Sequence, residues 1–189
     1  VTPPNSTAVD EGYAVQRQSE RLAHLPRVGW KVGATSSSVQ ALFGIDEPAT
    51  APMFKPFCFI SPKTVPMLMD QHTNVEAEFA FQFGDDLPPR KLFYDRKEIL
   101  SAVAAVIPAI EIVSCRFEGG FEQLGAMQLV ADMTAHSAFV RGQPTRVWKD
   151  MDLRLHHVVL RKNNRIVAEG TGANVLGDPI AVLEWTANH

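Results

Sequence analysis

Residues 74–83 read Asn-Val-Glu-Ala-Glu-Phe-Ala-Phe-Gln-Phe and decide how the rest of the chain is interpreted. The stretch is rich in valine and phenylalanine, and the turn-forming residues Gly84–Asp86 follow it, so the pattern predicts a β-strand. Side chains two residues apart on a strand point to the same face, so Glu76 and Glu78 project side by side. Such a pair either lies on a solvated outer face or holds a hard divalent cation, because adjacent carboxylates repel each other.

The composition excludes several classes of function. The 189 residues are 46% hydrophobic and 21% charged, which is typical of a globular domain with a substantial core. A formal net charge of −3 provides no basic surface for nucleic acid, and no apolar run approaches the length of a membrane span. We therefore expect neither a nucleic-acid nor a membrane partner. Two cysteines are too few for a disulfide framework, which favours a cytoplasmic location.

The N-terminal part of the chain predicts a helix over residues 9–25, ended by Pro26. Four apolar side chains share one side of it at helical spacing: Ala14, Val15, Leu22 and Leu25. The predicted domain organisation is accordingly a helical lead-in over 1–25 and one further domain over 26–189.

The middle of the chain predicts loops, edge strands and one further helix. Five prolines between residues 46 and 73 favour loops and edge strands, with short extended runs at 57–60 and 64–68. Asp95 is a helix-capping residue, and a helix is predicted over 96–106 before Pro108. Strands outnumber helices along the whole chain and no β-α-β rhythm is present, so the predicted class is α+β.

Glu111 lies in the middle of the apolar stretch 109–113. A single carboxylate in an apolar strand indicates either an edge position or a functional charge. Beside Glu76 and Glu78 it would supply a third oxygen ligand for a divalent cation.

Four motifs in a fixed order carry a resemblance to a known family. They are Gly-Trp-Lys-Val-Gly-Ala-Thr at 29–35, Val-Glu-Ala-Glu-Phe-Ala-Phe at 75–81, Pro-Ala-Ile-Glu-Ile-Val at 108–113, and Val-Ala-Glu-Gly followed by Leu-Gly-Asp-Pro within 167–179. Together they resemble the 2-keto-4-pentenoate hydratase / 4-oxalocrotonate decarboxylase branch of the fumarylacetoacetate hydrolase superfamily. The resemblance extends from about Tyr13 to Asn188.

The resemblance implies a fold, a metal and a substrate class. The fold is α+β, a mixed β-sheet roll of the fumarylacetoacetate hydrolase C-terminal-domain type with flanking helices. The implied metal is Mg²⁺ or Mn²⁺, and the family's three carboxylate ligands match Glu76, Glu78 and Glu111. The implied substrates are short 2-oxo or 2-hydroxy-dienoic acids, whose carboxylate and adjacent oxygen chelate the ion.

Other site residues also follow from the resemblance. Lys31 matches the lysine of the family motif G-x-K-V-G and is the predicted catalytic proton carrier. Gly29 and Gly33 share its strand face and are expected to leave room for substrate. Three further residues are expected to bind substrate or to support the site: Arg116, Asp132 and His136.

Two family motifs with acid–base or hydrogen-bonding groups are altered, at three positions in all. Where the family's hydratases have D-x-P-D-F-G, this chain has Ala49 in place of the second aspartate. Where the family has D-N-x-S, Met133 replaces the asparagine and Ala135 the serine. His136 is adjacent to Ala135, but neighbours on a strand point to opposite faces, so it does not simply replace the serine.

A third departure concerns length, since family members continue past the helix that ends near Asn188. This sequence stops at His189, so either that C-terminal family segment is absent from the given chain or the natural protein is shorter and part of its pocket is open.

Three functional hypotheses follow. The first is a metal-dependent lyase that adds water to a 2-hydroxy-2,4-dienoate in aromatic-compound catabolism. The second is a decarboxylase, or another enzyme of C–C or tautomer chemistry on 2-oxo acids at the same metal. The third is a non-catalytic metal-binding partner of a sibling hydratase or decarboxylase. A homo-oligomer is expected in each case, because the apolar segments 54–60 and 117–124 lie in connections.

Overall fold

The computed structural model describes residues 8–66 and 71–189. Its helices are α1 (Val9–Ala23), α2 (Ser37–Phe43), α3 (Arg96–Ala102), α4 (Ala126–Ala131) and α5 (Pro179–Ala187). Its strands are β1 (Arg27–Gly33), β2 (Ala49–Phe54), β3 (Cys58–Ile60), β4 (His72–Phe83), β5 (Val103–Cys115), β6 (His136–Arg141), β7 (His157–Lys162) and β8 (Arg165–Thr171). The predicted α+β class is confirmed. Within these ranges no helix combines the length and apolar character needed to cross a bilayer.

The described strands form three hydrogen-bonded groups. Strand β1 pairs antiparallel with β2, which places Lys31 opposite Ala51. A four-stranded sheet has the order β3-β6-β5-β4, so the Glu-Ala-Glu strand β4 lies beside β5. Strands β7 and β8 form an antiparallel hairpin. Its turn residues Asn163 and Asn164 have φ of 51° and 62°, the left-handed conformation that two-residue hairpin turns require.

The chain forms two compact units. The first comprises the described residues up to Glu76 together with Ile110–Val140, and the second comprises Ala77–Ala109 and Arg141–His189. The division passes through β4 and β5, so each unit includes part of both strands. The domain boundary that the sequence predicts near residue 25 remains a prediction.

The first unit has its own apolar core, in which α4 and the end of β5 take part. The buried members are Phe43, Val113, Cys115, Leu124, Leu129 and Ala135. Phe117 and Phe121 pack against this cluster, so much of the segment predicted as an exposed interface serves the core instead.

Helix α1 contacts α4 through a face that the apolar spacing does not predict. Its buried residues are Gly12 and Gln16, whereas Leu22 is 68% exposed and Val15 is also exposed. A Cβ at Gly12 would lie 2.6 Å from the Met127 carbonyl oxygen, so glycine permits the close approach of the helices. Gln16 donates to the carbonyls of Thr50 and Val130, which satisfies its buried amide. The predicted apolar face was therefore wrong.

The second unit is built around a separate cluster. Its buried members are Ile99, Val103, Val106, Trp148, Leu153, Ile180 and Leu183. Helix α3 begins with a capping box, in which Asp95 accepts from the Glu98 backbone and Glu98 accepts from the Asp95 backbone. At α5 the Asp178 carboxylate caps the helix by accepting a hydrogen bond from the Ile180 N–H.

One helix predicted in the middle of the chain is shorter than expected. The helix predicted over 96–106 ends at Ala102, and β5 continues from Val103 through Pro108. The β-branched residues at 103, 106 and 107 favour a strand, and Pro108 is exposed, where a missing N–H is tolerated.

The proline-rich stretch contains strand β2, which is buried but pairs only with β1 among the described strands, so it is an edge strand as expected. Pro52 is fully buried opposite Trp30 of β1. Of the extended run predicted at 64–68, residues 64–66 form no strand and residues 67–68 lie outside the described part of the chain.

Candidate metal centre

Three carboxylates converge on one place. Glu76 and Glu78 are two residues apart on β4, and Glu111 lies on the neighbouring strand β5. Each of the three residues offers one carboxylate oxygen, and these oxygens all lie within 4.8 Å of one another. Glu111 is buried and Glu76 is exposed, so the group reaches from the interior to the surface. The structure thus brings together the three residues that the sequence predicts as metal ligands.

Glu111 is held by two donors that share one of its oxygens. Lys31 Nζ lies 2.9 Å from Glu111 Oε1, and His136 Nδ1 lies 2.7 Å from the same atom. The exposed fractions of the three side chains are only 6%, 5% and 3% for Lys31, Glu111 and His136. Because a carboxylate oxygen accepts, Nδ1 carries the hydrogen in the bond from His136.

Lys31 reaches Glu111 because small residues surround it. A Cβ at Gly33 would lie 2.7 Å from the Thr134 methyl group and 3.2 Å from Lys31 Cε. The space beside Gly33 is therefore occupied by Lys31 itself and by Thr134, while the expectation that Gly29 and Gly33 leave room for substrate stays a prediction. Ala51, opposite Lys31 on β2, is fully buried.

Arg116 and Asp132 pair with each other instead of with the carboxylate group. Arg116 Nη1 donates to Asp132 Oδ1 at 2.9 Å and to the Asp132 carbonyl at 3.3 Å. Its Nη2 donates to the His136 carbonyl at 2.5 Å. Burial raises the pKa of the Asp132 carboxyl, and the positive charge of Arg116 opposes that rise. Arg116 thus bonds residues on both sides of the segment 133–135.

The segment between Asp132 and His136 has an unusual backbone. Met133, Thr134 and Ala135 have φ of 55°, 50° and 59°, so three consecutive residues with side chains lie in the left-handed region. Thr134 Oγ1 donates to the Thr50 carbonyl at 3.1 Å, which ties this left-handed turn to β2. We refer to residues 133–135 as the left-handed turn.

The negative charges affect one another. The Glu76 residue is exposed as a whole, but its carboxyl is desolvated by its surroundings, and this burial raises its pKa. The charge of Lys31 lowers the pKa of Glu76, while that of Glu111 raises it. Burial and the charge of Glu111 also raise the pKa of the Cys58 thiol on β3.

The contact between His136 and Glu111 is a feature that the sequence did not predict. If His136 and Ala135 were neighbours on a strand, as the sequence suggested, their side chains would point to opposite faces. In the structure Ala135 belongs to the left-handed turn, and β6 begins only at His136, so alternation does not apply to this pair. Ala49 and Ala135 are both buried and add no polar group to the site.

Comparison with solved structures defines the class of fold. The chain superimposes on 4-oxalocrotonate decarboxylase from Pseudomonas putida G7, complexed with magnesium and adipate, with a TM-score of 0.78 and 26% identity. The match covers 96% of this chain and 68% of that one. The fold is therefore of the fumarylacetoacetate hydrolase type, as predicted. The search against family models gave no match.

Curated relatives narrow the class to a family. The chain is 34% identical over 182 residues to 2-keto-4-pentenoate hydratase of Paraburkholderia xenovorans (strain LB400), covering 95% of this chain and 66% of the relative. It is 33% identical over 183 residues to 2-keto-4-pentenoate hydratase 1 of Dechloromonas aromatica (strain RCB), covering 95% and 68%. The chain belongs to the 2-keto-4-pentenoate hydratase family. It spans about two thirds of the length of these relatives.

Proposed function

We propose that this chain carries the metal centre of a hydratase acting on a short 2-hydroxy-2,4-dienoate, with Mg²⁺ or Mn²⁺ held by Glu76, Glu78 and Glu111. The observation that carries the proposal is the convergence of the three carboxylate oxygens to within 4.8 Å of one another. The relatives named as hydratases and the magnesium-bound structural neighbour support it.

The residues present fit a hard divalent cation. All three donors are carboxylate oxygens, which magnesium and manganese prefer to nitrogen or sulfur. Carboxylates held this close repel one another, and a divalent ion between them would offset that repulsion. Glu111 is already oriented by Lys31 and His136, so this ligand requires little reorganisation.

The proposed reaction is the addition of water through the keto tautomer of the dienol. The enol hydrogen leaves, a proton adds to the terminal alkene carbon, and a 2-oxo-3-enoate results. Water then supplies hydroxyl to the fourth carbon and hydrogen to the third, which gives a 4-hydroxy-2-oxo acid. The metal, when bound, supplies Lewis acidity toward the substrate carboxylate and its adjacent oxygen.

Lys31 is the proposed proton carrier of this site. Its ammonium is buried and lies 2.9 Å from Glu111 Oε1, so it sits beside the carboxylate group and not on the outer surface. Ala49 and Ala135 cannot exchange protons, which leaves Lys31 as the candidate among the predicted residues. General acid–base catalysis typically contributes 10²–10⁴-fold, and Lys31→Met should lower turnover by roughly that factor.

The experiment combines metal binding with turnover. Mn²⁺ binding is followed by electron paramagnetic resonance, and dienol consumption by its ultraviolet absorbance with Mg²⁺ present. We expect the chain to bind Mn²⁺ and to form the hydroxylated product, and Glu78→Gln to weaken both together. Absence of Mn²⁺ binding by the unaltered chain would refute the metal centre.

Decarboxylation of a vinylogous 2-oxo diacid at the same metal is the second candidate. Two observations favour it: the solved neighbour is named as a decarboxylase, and the acid–base positions at Ala49 and Ala135 are altered. Product analysis after the absorbance assay separates the two, because decarboxylation releases CO₂ and forms no new hydroxyl group. Metal binding without turnover of either substrate class would instead favour a partner subunit of a sibling enzyme.

Assembly and location complete the proposal. We place the protein in the cytoplasm as a homo-oligomer. The free thiols of Cys58 and Cys115 fit a reducing compartment. Phe57 and Ile60, which are 43% and 54% exposed, provide apolar surface for contact with a second copy.

A further inference from the structure

We propose that His136 and Arg116 are positioning residues for the metal ligand Glu111, with Arg116 acting through the left-handed turn 133–135. The inference rests on the proposed function, because it assigns Glu111 to the metal. His136 holds one oxygen of Glu111, and Arg116 fixes the backbone that places His136 there. Neither residue is expected to touch the metal or the substrate.

The first step is the bond from His136 to Glu111. Nδ1 donates to Oε1 over 2.7 Å, and Lys31 Nζ lies 2.9 Å from the same oxygen. Two donors on one oxygen restrict rotation of the carboxylate, and they leave Oε2 as the oxygen that we expect to be offered to a cation. Partners of this kind orient ligands and raise metal affinity, and their loss typically costs 10–100-fold.

The second step is the isolation of the imidazole. His136 Nε2 is buried and has no hydrogen-bond partner within the described part of the chain. A buried polar ring with an unsatisfied nitrogen carries a free-energy cost. The polar contact that the ring does make is directed at Glu111. This arrangement is expected of a residue kept for the orientation of that carboxylate and not for general core packing.

The third step is the clamp on the turn. Three consecutive residues with side chains at positive φ are strained and persist only where the surroundings enforce them. Arg116 bonds Asp132 on one side of the turn and the His136 carbonyl on the other. It therefore fixes the distance between the two ends of the turn. Without it the turn can relax, and His136 would then move away from Glu111.

The test measures the affinity of the metal-free protein for Mn²⁺ by electron paramagnetic resonance. We expect His136→Leu to weaken binding by about 10–100-fold. His136→Asn retains an N–H donor near the position of Nδ1 and should restore a large part of the loss. Arg116→Met should also weaken binding. Arg90→Met, which removes an exposed ion pair with Glu98 in the second unit, should leave the affinity unchanged.

The double variant Arg116→Met/His136→Leu tests the order of action. If Arg116 acts through His136, the double variant binds Mn²⁺ no more weakly than His136→Leu alone. Multiplying effects of the two substitutions would overturn this part of the inference. Equal affinities of folded His136→Leu and the unaltered chain would overturn the role of His136. Failure of the unaltered chain to bind Mn²⁺ would instead count against the proposed function.

A measurement on the unaltered chain covers the case in which the leucine variant does not fold. In ¹⁵N nuclear magnetic resonance, His136 should show a hydrogen on Nδ1, and its resonances should shift when Mg²⁺ is added. His157, which pairs with Glu169 on the exposed β7–β8 hairpin, is the internal control and should not shift. A His136 ring that carries its hydrogen on Nε2, or that does not respond to Mg²⁺, would overturn the inference.

Discussion

Replacement of Lys31 by methionine should strongly destabilise the metal-free protein. Lys31 is the buried ammonium that opposes Glu111, and both side chains are about 95% removed from solvent. Methionine keeps most of the side-chain volume but removes the charge. Glu111 would then remain as a buried carboxylate that still accepts the bond from His136.

The magnitude follows from the burial of the pair. Removal of one partner of a buried ion pair typically costs 3–5 kcal/mol, because the other charge is left uncompensated. The bond from His136 persists, so we expect the lower end, about 3 kcal/mol. This corresponds to roughly a 10²-fold increase in the unfolding equilibrium constant. With a urea dependence of about 2 kcal/mol per molar, the unfolding midpoint should fall by roughly 1.5 M.

Urea unfolding with a chelator present is the appropriate assay, since a bound cation would itself offset the charge of Glu111. The double variant Lys31→Met/Glu111→Gln removes both charges and should regain more than half of the lost stability. Arg154→Met is the control for an exposed pair, because Arg154 and Asp152 are 58% and 37% exposed. That substitution should leave the urea midpoint nearly unchanged, because solvent screens an exposed ion pair. A loss of less than about 1 kcal/mol for Lys31→Met, or no recovery in the double variant, would refute the reasoning.

Three further predictions concern other parts of the molecule. Ile99→Ala should lower the free energy of unfolding by about 2–5 kcal/mol in urea titrations, because Ile99 is fully buried in the second unit, and a change below 1 kcal/mol would contradict this packing. The hydrogen bond from Arg90, and to a smaller extent one from the Asp95 backbone N–H, lowers the pKa of Glu98 to about 2. The stabilising contribution of Glu98 is therefore present above about pH 4.5 and lost as the pH falls through 2. A nuclear magnetic resonance titration should show this, and Arg90→Met should raise the pKa of Glu98 toward its usual value. Light scattering should give a mass of at least twice the 20.8 kDa monomer, whereas Phe57→Ser/Ile60→Ser should shift the protein toward the monomer if these exposed residues lie in the contact.

The features that were predicted from the sequence depend on neighbours along the chain. Alternation on one strand placed Glu76 and Glu78 side by side, and capping residues such as Asp95 marked helix starts that the structure confirms. The three carboxylates and Lys31 could be nominated because each lies in a short motif.

The features that were missed depend on contacts between distant segments or on competing local preferences. Residues 103–106 follow the helix that begins after Asp95, so the sequence predicts that the helix continues through them. The β-branched side chains of Val103 and Val106 favour a strand instead, and both residues belong to β5. The left-handed turn contains no glycine that would indicate positive φ in the sequence. The residue that bonds Asp132 at its start, Arg116, lies 16 positions earlier in the chain. The bond from His136 to Glu111 spans 25 positions and therefore could not be inferred from spacing.

The crowding of the three carboxylates has a consequence for how the protein should be handled. The three carboxylate oxygens lie within 4.8 Å of one another, and like charges at such distances repel, so their repulsion costs the metal-free fold electrostatic free energy. An ion that binds only the folded chain would relieve this repulsion. At a concentration one hundred times its dissociation constant it would add about 2.7 kcal/mol to the free energy of unfolding. Purification in strong chelators would then lower the melting temperature. Thermal stability measured against a series of cations would rank their affinities without any substrate.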